Sequence, residues 1–180
     1  MSNTELPKTV DPYRLAAQSV IVDGELPVHK MRRFYESILG AAEQESCQVR
    51  LSFYMDDMRR RLVSGELKTS VTLQCQRCLT PMTAELASSF TLGLVTTDEQ
   101  AQNLPRELEP FLTDEFSADL WTLVEDELLL VLPPFPLHDR SECPAREQLE
   151  AFEPGETEPE PEEQQRENPF SVLANLKKKH

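Results

Sequence analysis

The sequence predicts an α+β protein: an antiparallel β meander, folded as a sheet or a partly open barrel, packed with two or three helices and followed by a disordered acidic linker and a short C-terminal helix. Three observations lead there. Within residues 47–95, apolar side chains recur at every second position in successive runs, the period of a half-buried strand. Residues 28–42 and 120–132 repeat apolar residues at helical spacing instead. Residues 150–167 hold eight glutamates against one arginine, half of the net charge of −14 carried by all 180 residues. With Pro154, Pro159 and Pro161 and only Phe152 as a large apolar residue, that stretch cannot bury enough surface to offset its ordering entropy. The chain thus divides into one domain at 1–149, a linker at 150–167 and an amphipathic helix at 168–180.

Taken in order, Gln18 to Leu26 reads as a short strand with Val20 and Val22 inward. Val28 to Ala42 places Met31, Tyr35, Ile38 and Ala42 on one helical face, with Gly40 near its end and His29 as a surface residue. Cys47 to Met55 alternates cleanly, so Cys47, Val49, Leu51, Phe53 and Met55 share the apolar face and Cys47 is a core residue. After a turn at Asp56-Asp57-Met58, a second strand runs from about Arg60 to Gln74, with Val63, Leu67, Val71 and Leu73 in phase and Gly65 marking a bulge or bend. Glu85 to Val95 alternates again, with Leu86, Phe90, Leu92 and Leu94 inward. Thr96 to Glu109 is polar and reads as a loop. Asp119 caps a helix from Leu120 to Leu132 that turns Trp121, Val124, Leu128 and Val131 to the core. Glu125, Asp126 and Glu127 are consecutive, point in different directions and read as a solvated face; Pro133-Pro134 then stops the helix.

The chemistry-bearing stretch is Thr69 to Met82, where a strand runs straight into Cys75-x-x-Cys78. The plainest reading is that reduced cysteines pack as small apolar residues. A second is structural zinc, which wants four ligands in a tetrahedron; Cys75, Cys78, His138 and Cys143 would supply them. The two halves of that set lie much further apart than the roughly 12–20 residues of compact zinc modules. A third is a redox pair, but that needs the first Cys at a helix N-terminus, and Pro81 followed by a new strand argues against it.

Between Val49 and Cys78 the charge turns basic: Arg50, Arg59, Arg60, Arg61, Lys68 and Arg77 face three acids. Such a strip can touch a phosphate backbone, or simply solvate the outer face of a sheet. Past the linker, Asn168 and Pro169 start a short helix whose Phe170, Leu173 and Leu176 form one apolar stripe before three lysines. A helix this short needs a surface to dock on, in its own domain or in a partner's groove.

No apolar run approaches the roughly 20 residues of a membrane span, and Met1 to Asp11 lacks the apolar core of a signal peptide, so a cytoplasmic protein with no membrane partner is expected. The chain has no Gly-rich phosphate loop and three histidines, including His180, with no carboxylate constellation around them; neither an enzyme nor a small-molecule substrate is expected.

Three separated motifs, Cys-Gln-Arg-Cys-Leu at 75–79, Val-Glu-Asp-Glu-Leu-Leu-Leu-Val-Leu-Pro-Pro-Phe-Pro-Leu-His-Asp at 124–139 and Asn-Pro-Phe-Ser-Val-Leu-Ala-Asn-Leu-Lys at 168–177, resemble the bacterial YceD family of large ribosomal RNA subunit accumulation proteins. The resemblance runs from Val10-Asp11-Pro12 to the final helix. It implies a non-enzymatic role in synthesis, processing or stability of 23S rRNA, with ribosomal proteins or the large-subunit rRNA precursor as partners. The alternatives are a Cys-x-x-Cys redox protein and a small zinc-binding interaction module. An acidic linker repels RNA and attracts lysine-rich surfaces, which places the main contact with protein.

Overall fold

The structure is a computed structural model that describes residues 4–41, 45–114 and 116–152. The chain opens with a short strand β1 (Thr9–Val10) and a helix α1 (Pro12–Ala17). Two adjacent residues start that helix: Asp11 accepts the Arg14 N–H at 2.9 Å, and Pro12 presets the backbone of the first turn. Strand β2 (Ile21–Pro27), a 3-10 turn at Val28–Lys30 and helix α2 (Arg32–Glu36) follow. Then come three long strands, β3 (Ser46–Met55), β4 (Arg61–Gln74) and β5 (Pro81–Val95). Helix α3 (Asp98–Gln102), strands β6 (Glu109–Leu112) and β7 (Ala118–Asp119) and helices α4 (Leu120–Leu130) and α5 (Arg146–Phe152) complete the described chain.

Two compact units divide the chain, Met1–Cys143 and Pro144–His180. Helix α5 belongs to the second and reaches into the first three residues of the stretch read as linker. The rest of that linker, and the helix carrying Phe170, Leu173 and Leu176, lie outside the described residues.

Among the described residues the sheet has the order β2-β3-β4-β5-β6, and β1 pairs with β7 in a separate two-stranded ribbon. The first four strands are antiparallel, as the meander predicts, but β6 is parallel to β5. A parallel neighbour needs a crossover, and the expected loop after Val95 supplies it through α3, capped by the Thr97 side chain on the Gln100 N–H.

The expected bulge at Gly65 is absent. Its pairing with Leu51 on one side and Phe90 on the other is in register with every neighbour. The glycine is needed for space instead: a Cβ there would overlap the Phe90 ring, which lies across the strand over the missing side chain.

One face of the sheet is the core. Cys47, Val49, Leu51 and Phe53 of β3, Val63, Leu67, Val71 and Leu73 of β4, and Leu86, Leu92 and Leu94 of β5 are buried in one cluster with Leu120, Leu123, Val124 and Leu128 of α4. Cys47 is fully buried, as expected of a core residue, and burial pushes its thiol up to about 12.

Two helical expectations need correction. The long helix expected over 28–42 is a 3-10 turn and a five-residue α2; Val28, Met31 and Phe34 are buried while Tyr35 is 42% exposed. Beyond it the chain bends toward β4, with the Leu39 N–H donating to Thr72 O and the Thr72 N–H to Gly40 O, so Gly40 bridges β4 rather than closing a helix. The acidic run of α4 is not a uniform solvated face either. Glu125 binds the start of α2, Glu127 is 9% exposed against the sheet, and only Asp126 stays at the surface.

Candidate functional site

At the far end of the β4–β5 hairpin, the turn Cys75 to Thr80 meets the segment that follows α4. The turn closes on itself through Leu79 N–H to Cys75 O at 2.8 Å and Cys75 N–H to Thr80 O at 3.0 Å. Leu79 takes a left-handed backbone, with φ of 61°, and is exposed. Pro133 and Pro134 stop α4, and the chain returns along the turn, where Gln76 donates its backbone N–H to Pro136 O at 2.9 Å and its side-chain amide to Pro134 O at 3.3 Å.

This return delivers His138 and Cys143 to the hairpin. The Sγ atoms of Cys75, Cys78 and Cys143 and a ring nitrogen of His138 all lie within 4.8 Å of one another. His138 Nδ1 is 3.3 Å from Cys78 Sγ, and its Nε2 is 3.2 Å from Pro81 O. A carbonyl only accepts, so Nε2 carries the proton and Nδ1 presents a lone pair to the sulfurs. Cys75 and Cys143 are buried, and Cys78 is half-buried.

The electrostatics favour thiolate at this turn. Burial pushes the Cys75 thiol up, but the backbone N–H groups of Cys78, His138 and Arg77 more than offset it and bring it down to about 5. Cys78 is lowered first by the Thr80 hydroxyl, 3.1 Å away, against a smaller effect of burial. The His138 imidazole is raised, chiefly by its contact with Cys75. The cluster therefore joins three soft sulfurs and one imidazole nitrogen, the donor set of a tetrahedral soft-metal centre. A thioredoxin-like geometry is not present, because Cys75 opens a turn that enters β5 rather than a helix.

The basic residues are dispersed. Arg50 and Lys68 lie on the outer face of the sheet, where Arg50 is opposite Glu66 and 3.7 Å from Asp23. Arg59, Arg60 and Arg61 gather at the β3–β4 turn, but Arg60 is bound to Asp56 at 2.6 Å and Arg61 sits 4.7 Å over the Tyr13 ring. Arg77 is at the opposite end, half-buried in the cysteine turn, with Nη1 enclosed and no hydrogen-bond partner among the described residues. The six fall close together in the sequence, but strand pairing and the two turns separate them by face and by end.

Beside the cluster lies an open groove of about 480 Å³, lined by Ile38, Leu39, Leu73, Leu132, Pro133 and Pro136 among others. Its rim includes Leu39, which is 52% exposed, and Phe135 on the same returning segment is 72% exposed. This surface was invisible in the sequence, since its walls come from α2, β4 and the chain after α4.

Fold and cluster together define a small α+β domain built on a mixed five-stranded sheet, with a Cys/His set at one hairpin end. The sequence profile described as "Large ribosomal RNA subunit accumulation protein YceD" matches residues 63–177. A relative of that name from Haemophilus influenzae is 37% identical over 182 aligned residues, covering 99% of this chain and 100% of its own. This chain belongs to the YceD family. No solved structure matches it. No helix among the described residues is long and apolar enough to cross a membrane.

Proposed function

We propose that this chain is a non-catalytic cytoplasmic factor that supports accumulation of 23S rRNA, at the level of its synthesis, processing or stability, and that it works by binding ribosomal protein more than naked RNA. The observation that carries the reading is the full-length likeness to the Haemophilus influenzae protein, whose name states such a role for that protein. Charge supports the choice of partner. The chain carries a net charge of −14, which repels a phosphate backbone over distances of a Debye length, about 8–10 Å at physiological salt. Two of the basic residues that would oppose this repulsion, Arg50 and Arg60, are paired with aspartates.

The redox alternative has one observation in its favour, the low thiol value at Cys75, and one against it: that sulfur is fully buried. The test is affinity capture with the tagged full-length chain from an extract of the organism that encodes it. Large-subunit ribosomal proteins are expected, retained after nuclease treatment and released by salt. Capture of neither ribosomal protein nor precursor rRNA contradicts the reading, and capture of rRNA that is lost on nuclease treatment with no protein left behind contradicts the choice of partner.

A further inference from the structure

We propose that Cys75, Cys78, His138 and Cys143 bind one zinc ion as a closed, structural tetrahedral centre that fastens the chain after α4 to the β4–β5 hairpin. The geometry is the first support. Zinc bonds of about 2.3 Å to sulfur and about 2.0–2.1 Å to nitrogen set donor atoms roughly 3.5–3.8 Å apart in a tetrahedron. The four donor atoms all lie within 4.8 Å of one another, and the Cys78–His138 pair is at 3.3 Å. Side-chain adjustments of up to about 1 Å around an ion complete the figure.

The surroundings are the second support. Metal-ligating histidines commonly donate the other ring N–H to a carbonyl or carboxylate, which fixes the tautomer. His138 does so to Pro81 O at 3.2 Å, from a residue three positions past Cys78, so one ligand is oriented by the loop that holds another. Backbone N–H groups converge on Cys75 Sγ, including that of His138 at 3.5 Å, and the Thr80 hydroxyl reaches Cys78 Sγ. Three thiolates with one divalent ion leave a net charge of −1, and the half-buried Arg77 lies in the same turn.

The donor set selects the ion. No carboxylate belongs to the cluster, which disfavours magnesium and calcium, and three sulfurs with one imidazole suit zinc. Four protein ligands leave no position for water or substrate, so the centre is structural. Its effect is mechanical: it joins points 60 residues apart and fixes the Pro133–Pro136 wall of the groove.

The experiment is elemental analysis of the full chain, purified under reducing conditions without chelator or metal-affinity steps, and again after zinc is stripped and returned. One zinc per chain is expected in both, and cobalt in its place should give the intense visible absorption of a tetrahedral thiolate complex. His138→Cys should retain the ion, while His138→Ala should weaken binding by at least about 100-fold, beyond the 10–100-fold typical of an outer-shell change. Because variants of a structural centre can fail to fold, hydrogen exchange on the unaltered chain supplies the second readout: stripping zinc should lose protection at residues 75–80 and 133–143 and leave the middle of β3 protected. Folded protein that holds no zinc as isolated and takes up none on addition, with its cysteines titrating as free thiols, overturns the proposal.

Discussion

Glu125 and Arg33 meet through backbone and side chain at once. Glu125 Oε1 accepts the Arg33 N–H at 2.6 Å and the Phe34 N–H at 3.2 Å, while its Oε2 takes the Arg33 guanidinium at 2.9 Å. A carboxylate borrowed from α4 thus satisfies the open N–H groups of α2, whose own preceding residue, Met31, offers no capping side chain.

The cap, rather than the ion pair, should carry most of the stability. The Arg33 side chain is 52% exposed, where ion pairs contribute about 0–1 kcal/mol. Glu125→Ala also strands two backbone donors beside the buried Phe34 and should cost about 1–3 kcal/mol. Arg33→Ala should cost under about 1 kcal/mol. Urea midpoints of the two variants check the order; equal losses would place the stability in the ion pair.

Glu127 should make the domain less stable as pH rises. Burial against β5 pushes its carboxyl above the ordinary value, Glu109 and Asp126 add to that, and the Ser88 hydroxyl opposes it. A raised carboxyl means that the folded state holds its proton more tightly than the unfolded one. The stabilisation is complete below the unfolded value and is lost as pH climbs through the folded value. Glu127→Gln should therefore raise stability at pH 7.5 by on the order of 1 kcal/mol. The gain should shrink toward pH 5.5, which stays clear of the isoelectric point near 4.6. Denaturant melts at the two pH values read it; a gain that is the same at both would contradict a titrating Glu127.

Period-2 patterning carried most of the sheet, because β3, β4 and β5 are long and bury one face, and a short-range signal repeated five or more times is hard to misread. Asp119 as the cap of α4 was equally legible, and it accepts the Trp121 and Thr122 N–H groups. Helix α1 was legible in principle from Asp11-Pro12 but is too short to show a period. Helix α2 was misread because five residues cannot establish a face, so Met31, Tyr35 and Ile38 suggested a longer one. The parallel β6 has four residues and left no signal. At the site, residue types were legible and proximity was not. That His138 reaches Cys78 depends on the hairpin length of β4 and β5 and on the return after Pro134, which are tertiary facts. The use of Glu125 as a cap for another helix is of the same kind.

Gly65 and Phe90 should be energetically coupled. Gly65→Ala places a methyl group where the Phe90 ring lies, and overpacking of this kind costs about 1–3 kcal/mol. Phe90→Leu alone loses the ring that covers the glycine. The double variant should cost less than the sum of the two by more than about 0.5 kcal/mol, since the clash disappears with the ring. A double-variant cycle in denaturant is the check, and strict additivity would show that the ring moves aside freely.

The most direct test of the account as a whole is the ratio of large- to small-subunit ribosomal RNA in the organism that encodes this chain, with its gene deleted and then restored. Under the proposed function the ratio falls on deletion and recovers with the native chain. A ratio unchanged by deletion under conditions where the native protein is made would contradict it.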